Sequence, residues 1–303
     1  MRFSAQLALE SARKILSTSA LQIAQPDLRI GLESQILLAH HLQKDRVFLH
    51  AHPETLLTPT QARRFFDSIQ KRALGYPIEY LTHKVSFYAR EFDIDSHTLI
   101  PRPETELLID KAQEALCAHN HRIVAEVGTG SGVIAITLAL QNPHIHIYAT
   151  DINPRALALA RQNAKRFGVD SQISFLHTSL LDGLEHIHID MLISNPPYIP
   201  NAYRLPLSVC YEPKEALFGG EVGSEILHAL IGLAKARQIA CVCCEMGHNQ
   251  KADIQAFVRD MAHKSLAFYT DLSGFDRGFI LEFPASQTRN LRQIQNLDLE
   301  FWF

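Results

Sequence analysis

The segment Ile123-Val124-Ala125-Glu126-Val127-Gly128-Thr129-Gly130-Ser131-Gly132-Val133-Ile134-Ala135 constrains this chain more than any other. An apolar run of strand length stops at a cluster of glycines, and a helical apolar run starts directly behind them. Glycines at such a place let the backbone turn and pass close to a ligand at the carboxyl end of the strand. From Glu104 onward the same alternation repeats, with strand-length runs at Ile123 to Val127, Ile145 to Ala149, Ile173 to His177, Ile189 to Ser194, Ile239 to Glu245, Leu266 to Thr270 and Gly278 to Phe283. Amphipathic helices fall between most of them, which predicts an α/β fold with a seven-stranded, doubly wound, Rossmann-like sheet. Asp271 to Asp276 is too short for a helical crossover, so the last strand should run antiparallel to the others.

The glycine turn also narrows the ligand. A dinucleotide fingerprint needs its third glycine, or an alanine, at position 133, and that residue is Val133. The spacing here is G-x-G-x-G with Glu126 two residues ahead, a pattern better suited to S-adenosylmethionine than to a pyrophosphate. Asp151 ends the second strand, where a carboxylate can accept both ribose hydroxyls of a nucleoside. The candidate cofactor residues are therefore Glu126, Gly128, Thr129, Gly130, Ser131, Gly132 and Asp151.

The fourth strand runs into Ser194-Asn195-Pro196-Pro197-Tyr198, and this segment carries the most chemistry. An amide or aromatic amine is a poor nucleophile because its lone pair is delocalised. The side-chain carbonyl of Asn195 and the main-chain carbonyl of Pro196 could accept both N–H groups of such a substrate and aim its lone pair at a methyl donor. Pro196 and Pro197 stiffen the backbone, and Tyr198 offers a flat face for stacking. No strong base is required, because the methylated nitrogen becomes acidic. An aspartate in place of Asn195 should be milder than alanine, since it still accepts a hydrogen bond.

Ahead of the sheet, residues 1–75 read as helices. Phe3, Leu7, Ala12 and Leu16 mark one face, and Leu32, Ile36, Leu37 and Leu42 another. Thr58 with Pro59 and Gln61 is a helix start, and Arg63, Arg64, Lys71 and Arg72 form a basic face on the helix that follows. Residues 76–100 contain apolar pairs, Val85 with Phe87 and Phe92 with Ile94, around a polar Arg90-Glu91 turn. This predicts a β-hairpin linker between the helices and a catalytic domain over 101–283, leaving 284–303 as an extension. That extension spaces Leu291, Ile294 and Leu297 for a helix and ends in Phe301-Trp302-Phe303, which should pack against apolar surface.

Taken together, these pieces resemble the protein-glutamine amide methyltransferases, specifically the peptide chain release factor methyltransferases. The likeness covers residues 30–283 and rests on Gly75-Tyr76-Pro77-Ile78-Glu79-Tyr80, Phe87-Tyr88, Leu99-Ile100-Pro101-Arg102-Pro103-Glu104-Thr105-Glu106, the glycine loop, Ser194 to Ile199, and Tyr211-Glu212-Pro213. Glu245-Met246-Gly247 with Gln250, and Asp276-Arg277, also look like the family. The resemblance implies S-adenosyl-L-methionine as cofactor, S-adenosyl-L-homocysteine as product, and methylation of the side-chain amide of the glutamine in the Gly-Gly-Gln loop of release factors. It implies a substrate-docking role for the N-terminal helices, Asn195, Pro196, Pro197 and Tyr198 as the catalytic glutamine clamp, Asn195 also beside the cofactor, and Phe87 and Pro101 as pocket walls. Leu180 stands where a tryptophan often flanks the adenine, after Ser179 where aspartate is common. Ala89 replaces the usual glycine of the hairpin tip, and Phe275 a usual arginine before Asp276.

Alternative chemistries are glutamine methylation of a ribosomal protein, methylation of an exocyclic adenine amine, and a cofactor-binding scaffold without catalysis. A formal net charge of -3 argues against a sequence-independent grip on nucleic acid. The most apolar stretch, Val133 to Leu140, is too short to cross a bilayer, and Glu10 interrupts any signal-like run, so a cytoplasmic protein without a membrane partner is expected. His144 with His146 and His186 with His188 lack a third ligand, and Cys241 with Cys244 lies in an apolar strand, so neither metal nor redox chemistry is expected.

Overall fold

The computed structural model describes residues 3–119 and 121–284; the expected helical tail with Trp302 lies outside them. The described residues divide into two units, one of residues 3–85, 94–96 and 204–212, the other of residues 86–93, 97–119, 121–203 and 213–284.

The first unit is helical. Helices α1 (Ala5–Ser17), α2 (Ala20–Ala24), α3 (Ile30–Leu42), α4 (Arg46–Ala51), α5 (Pro59–Ala73) and α6 (Ile78–Thr82) follow in order. Thr58 and Gln61 close a reciprocal capping box at the start of α5, with Pro59 in the first turn as the sequence predicts. Leu9, Leu16, Leu37, Leu38, Phe65 and Ile69 form the core between α1, α3 and α5. Leu7 is not part of that face: α1 buries Ala5, Ala8, Leu9, Ala12 and Leu16, and Leu7 stays exposed. The small alanines bring α1 close to its neighbours, and Ala12 and Leu16 lie on the buried stripe as expected. Arg72 also departs from the expected basic face. It is buried, and its guanidinium donates to both oxygens of Glu33 at 2.6 and 2.9 Å and to the carbonyl of Tyr76 at 3.2 Å. Arg63, Arg64 and Lys71 remain exposed.

Strands β1 (Lys84–Phe87) and β2 (Arg90–Asp93) pair as a hairpin. Its turn is Tyr88-Ala89, not Arg90-Glu91, and both turn residues are left-handed, at φ 49° and 55°. Side chains hold a turn that lacks glycine: the Tyr88 amide donates to Glu106 at 2.8 Å and the Tyr88 hydroxyl to Asp110 at 2.6 Å.

The second unit holds α7 (Thr105–His119), β3 (Ile123–Val127), α8 (Val133–Gln141), β4 (His146–Asp151), α9 (Pro154–Phe167), β5 (Ile173–His177), β6 (Met191–Ser194), β7 (Ile199–Pro200), β8 (Phe218–Gly220), α10 (Glu225–Ala236), β9 (Cys241–Glu245), α11 (Lys251–Val258), β10 (Ser265–Thr270) and β11 (Asp276–Glu282). Seven of these strands form one sheet in the order β10-β11-β9-β6-β3-β4-β5. β3 pairs in parallel with both β4 and β6, and β11 is antiparallel to β9 and β10, as the short final connection requires. The chain passes from β3 to β4 on one side and returns to β6 on the other. That reversal opens a crevice at the carboxyl end of β3. Cys241, Cys243 and Cys244 are free thiols packed inside the sheet.

Removing one partner of a buried ion pair leaves an uncompensated charge, so Glu33→Ala should destabilise the protein by about 3 to 5 kcal/mol. Arg64→Ala, at an exposed position, should stay within about 0.5 kcal/mol. Urea denaturation followed by far-ultraviolet circular dichroism separates the two, and equal midpoints would contradict the assignment of Arg72 to the core.

Candidate active site

The crevice is a cavity of about 390 Å³. Its floor is the glycine turn between β3 and α8, where Gly128 and Gly130 adopt left-handed φ values of 74° and 55°. A Cβ at either position would meet no atom within 4 Å, so a side chain there would fill open space beside the turn. Thr129 and Ser131 complete the lining from this turn. Gly132 does not line the cavity. It caps α8, and its missing side chain lets the helix start lie against Ala160 and Ile136, where a Cβ would sit 3.1 and 3.0 Å away.

Glu126 lies beneath the turn instead of facing the cavity. Its carboxyl is fully buried, and one oxygen accepts from the Thr129 hydroxyl at 2.7 Å and the Ala135 amide at 3.2 Å, tying the strand to both ends of the turn. The other oxygen has no partner in the protein. Burial pushes this carboxyl up to about 8, with the charge of Asp151 acting in the same direction and the two hydrogen bonds against it.

Asp151 does reach the cavity, at the end of β4. One of its oxygens accepts from the Gly130 amide and the other from the Asn153 amide, both at 2.8 Å. Each oxygen therefore keeps a further lone pair for a ligand. Burial raises its pKa while these two amides lower it. Leu180, at a left-handed φ of 47°, lines the cavity too, as do Ile152 and Ala216. The hydroxyl of Thr150 donates to the Leu180 carbonyl at 2.7 Å and fixes that loop.

Asn195 and Pro197 also line the cavity, as do Thr105, Pro101 and Phe218. Ser194 anchors the end of β6 by donating to the Val127 carbonyl at 2.7 Å. The Asn195 side-chain nitrogen donates to the Thr105 hydroxyl at 3.0 Å, and that hydroxyl donates to Glu245 at 2.7 Å. Pro196 is buried, and Tyr198 packs away from the cavity against the core, donating its hydroxyl to Glu245 at 2.9 Å. Stacking by the Tyr198 ring on a ligand in the cavity does not follow from this arrangement. Phe87 is likewise buried, edge-on to Phe92, and is not on the cavity lining, whereas Pro101 is.

Sequence reasoning gave no role to Thr105, Glu245 or Gln250, which carry the loop after β6. The Gln250 side chain donates to the Tyr198 carbonyl at 3.0 Å and accepts from the Gly247 amide at 2.8 Å. An acid closing the otherwise apolar run Cys241-Val242-Cys243-Cys244 was the visible signal. Among the described residues no cluster of three or more His, Cys, Asp or Glu side chains could hold a metal ion, and no helix is long and apolar enough to cross a membrane.

Comparison with known proteins gives two family matches, to the PrmC N-terminal domain over residues 8–82 and to the Methyltransferase small domain over residues 83–204. The release factor glutamine methyltransferase of Moorella thermoacetica is 35% identical over 257 residues, covering 83% of this chain and 91% of that protein. The enzyme of the same name from Coxiella burnetii is 29% identical over 273 residues, covering 89% and 97%. Among solved structures, the N-terminal domain of human METTL16 in complex with SAH superposes with a TM-score of 0.51 at 16% identity, covering 88% of this chain and 98% of that one, a likeness of fold.

The state of Glu126 is measurable through stability. In the unfolded chain this carboxyl loses its proton near its ordinary value of 4.5, and in the folded protein it keeps it to about 8. Between those values the folded state holds the extra proton, so this group's contribution declines as pH rises, by about 1.4 kcal/mol per pH unit. The stability of the wild type relative to Glu126→Gln should fall from pH 5 to pH 8. Parallel denaturation curves at the two pH values would contradict a neutral, buried Glu126.

Proposed function

Because the chain belongs to the release factor glutamine methyltransferase family, we propose that its cavity holds S-adenosylmethionine against the glycine turn and presents a substrate glutamine to Asn195. It is an S-adenosylmethionine-dependent protein-glutamine methyltransferase acting on peptide chain release factors. The glutamine of the Gly-Gly-Gln loop is the residue we assign as the methyl acceptor. The observation that carries the reading is the side-chain orientation of Asn195. Its nitrogen is engaged by Thr105, which leaves its carbonyl oxygen as the free group of an amide that lines the cavity.

The residues fit the cofactor. Asp151 retains acceptor capacity for a ribose diol, Leu180, Ile152 and Ala216 supply apolar contact for a purine, and the turn at Gly128 and Gly130 leaves room for close approach. When bound, S-adenosylmethionine supplies an electrophilic methyl group on a sulfonium. The protein's part is positioning. The Asn195 side-chain carbonyl and the Pro196 main-chain carbonyl would each accept one N–H of the substrate amide, turning its lone pair out of conjugation and toward the donor. A new N–C bond then forms as the S–C bond breaks, and the nitrogen gives up one proton to water. The N-terminal helices are the part of the chain we assign to release factor docking, and the cytoplasm is where such a substrate places the protein.

Two measurements test this. The protein, labelled S-adenosylmethionine and a release factor should give a methyl group on the Gly-Gly-Gln glutamine by mass spectrometry, and Asn195→Ala should lower kcat by about two to three orders of magnitude. Methylation of adenine-containing single-stranded DNA in place of the release factor would overturn the substrate assignment. Asp151→Ala should weaken S-adenosylmethionine binding by about 1.5 to 3 kcal/mol in calorimetric titration, and an unchanged affinity would remove Asp151 from the cofactor site.

A further inference from the structure

Glu245 ends β9 beside β6, and its side chain is almost completely withdrawn from solvent. It touches no part of the cavity, yet two hydroxyls converge on it: Thr105 on one oxygen at 2.7 Å and Tyr198 on the other at 2.9 Å. Both hydroxyls donate, and the two carboxyl oxygens accept. Thr105 has a single hydrogen and has spent it on Glu245. Toward Asn195 it can offer only a lone pair, and only the NH₂ end of an amide can meet a lone pair.

We propose that Glu245 is a positioning residue that sets the direction of the Asn195 amide through Thr105, so that the carbonyl and not the NH₂ faces the substrate. This inference rests on the methyl-transfer reading. An amide is nearly symmetric in shape, and packing alone does not choose between its two ends. Inverted, Asn195 would present donors to a substrate amide that is itself a double donor, and the clamp would repel what it is built to hold. The same carboxylate fixes Tyr198, whose main-chain carbonyl is held by Gln250, so the loop after β6 is tied at both ends. Burial pushes the Glu245 carboxyl up, and Glu104 acts in the same direction, while the Thr105 and Tyr198 hydroxyls and the cation of Arg277 hold it down.

The arrangement also alters the expectation for Asn195→Asp. A carboxylate at position 195 cannot donate to Thr105, and two sets of lone pairs would meet at 3.0 Å in a partly buried place. That variant should therefore be at least as impaired as Asn195→Ala, contrary to the expectation from the acceptor group alone.

Glu245→Gln has nearly the same shape but one oxygen becomes a donor. A phenolic oxygen is a poorer acceptor than an alcohol, so the new NH₂ group turns to Thr105 and the carbonyl stays with Tyr198. Thr105 is then free to donate to Asn195, and the amide can invert. With a release factor that the wild type methylates, kcat should fall at least tenfold, while S-adenosylmethionine affinity stays within about twofold. Thr105→Val should behave alike and Thr105→Ser should restore activity, which keeps the question answerable if Glu245→Gln does not fold. In an Asn195→Ala background, Glu245→Gln should have little further effect, because the group it orients is gone. Wild-type activity in folded Glu245→Gln and Thr105→Val, or a full additional loss in the Asn195→Ala background, would overturn the proposal. Absence of methylation by the wild type would instead overturn the reading on which it rests.

Discussion

The site exists because β3 lies between β4 and β6 with all three strands parallel. Parallel register brings three carboxyl ends to one edge, and each end delivers a different function: the glycine turn from β3, Asp151 from β4, and Asn195 from β6. The helices joining such strands must lie on the sheet faces, so the crevice between the outgoing loops is left open. A strand inserted between β3 and β6 would widen that spacing by about 5 Å and separate the glycine turn from Asn195.

Two buried carboxyls brace this edge from below. Glu126 at β3 ties the glycine turn to the start of α8, and Glu245 at β9 ties the loop after β6 to α7 through Thr105. Both are expensive to bury, and both are retained where a loop of irregular backbone must hold one shape. Their hydrogen-bond patterns differ in a telling way. Glu126 keeps one oxygen without a protein partner, while Glu245 has both oxygens engaged by hydroxyls. A fully engaged carboxylate dictates polarity to its neighbours, and here that polarity ends at the amide facing the cavity.

The sheet was legible because strand-length apolar runs, glycine punctuation and one short connection each have a single structural solution. The glycine loop, Asp151, Leu180, Asn195 and Pro197 all lie on the cavity edge or lining where the sequence pattern suggested, except that Gly132 serves helix packing and Glu126 lies beneath. Phe87 and Tyr198 were less readable, since an aromatic ring in a motif can face a ligand or a core with equal ease, and both face the core. Thr105 and Glu245 are separated by most of the catalytic unit's sequence, so only the folded sheet and α7 bring them together. Apolar spacing misplaced the hairpin turn at Arg90-Glu91, whereas the family resemblance put the tip at Ala89, where Glu106 and Asp110 hold Tyr88 in a turn that lacks glycine.

The central claim is that Asn195 offers its carbonyl oxygen to a substrate amide. A high-resolution structure of the protein with S-adenosylhomocysteine and a Gly-Gly-Gln peptide tests it directly. The account predicts the glutamine nitrogen within about 3 Å of the Asn195 side-chain oxygen, with the Asn195 nitrogen still on Thr105. A glutamine bound elsewhere, or an Asn195 nitrogen turned toward the peptide, would contradict it.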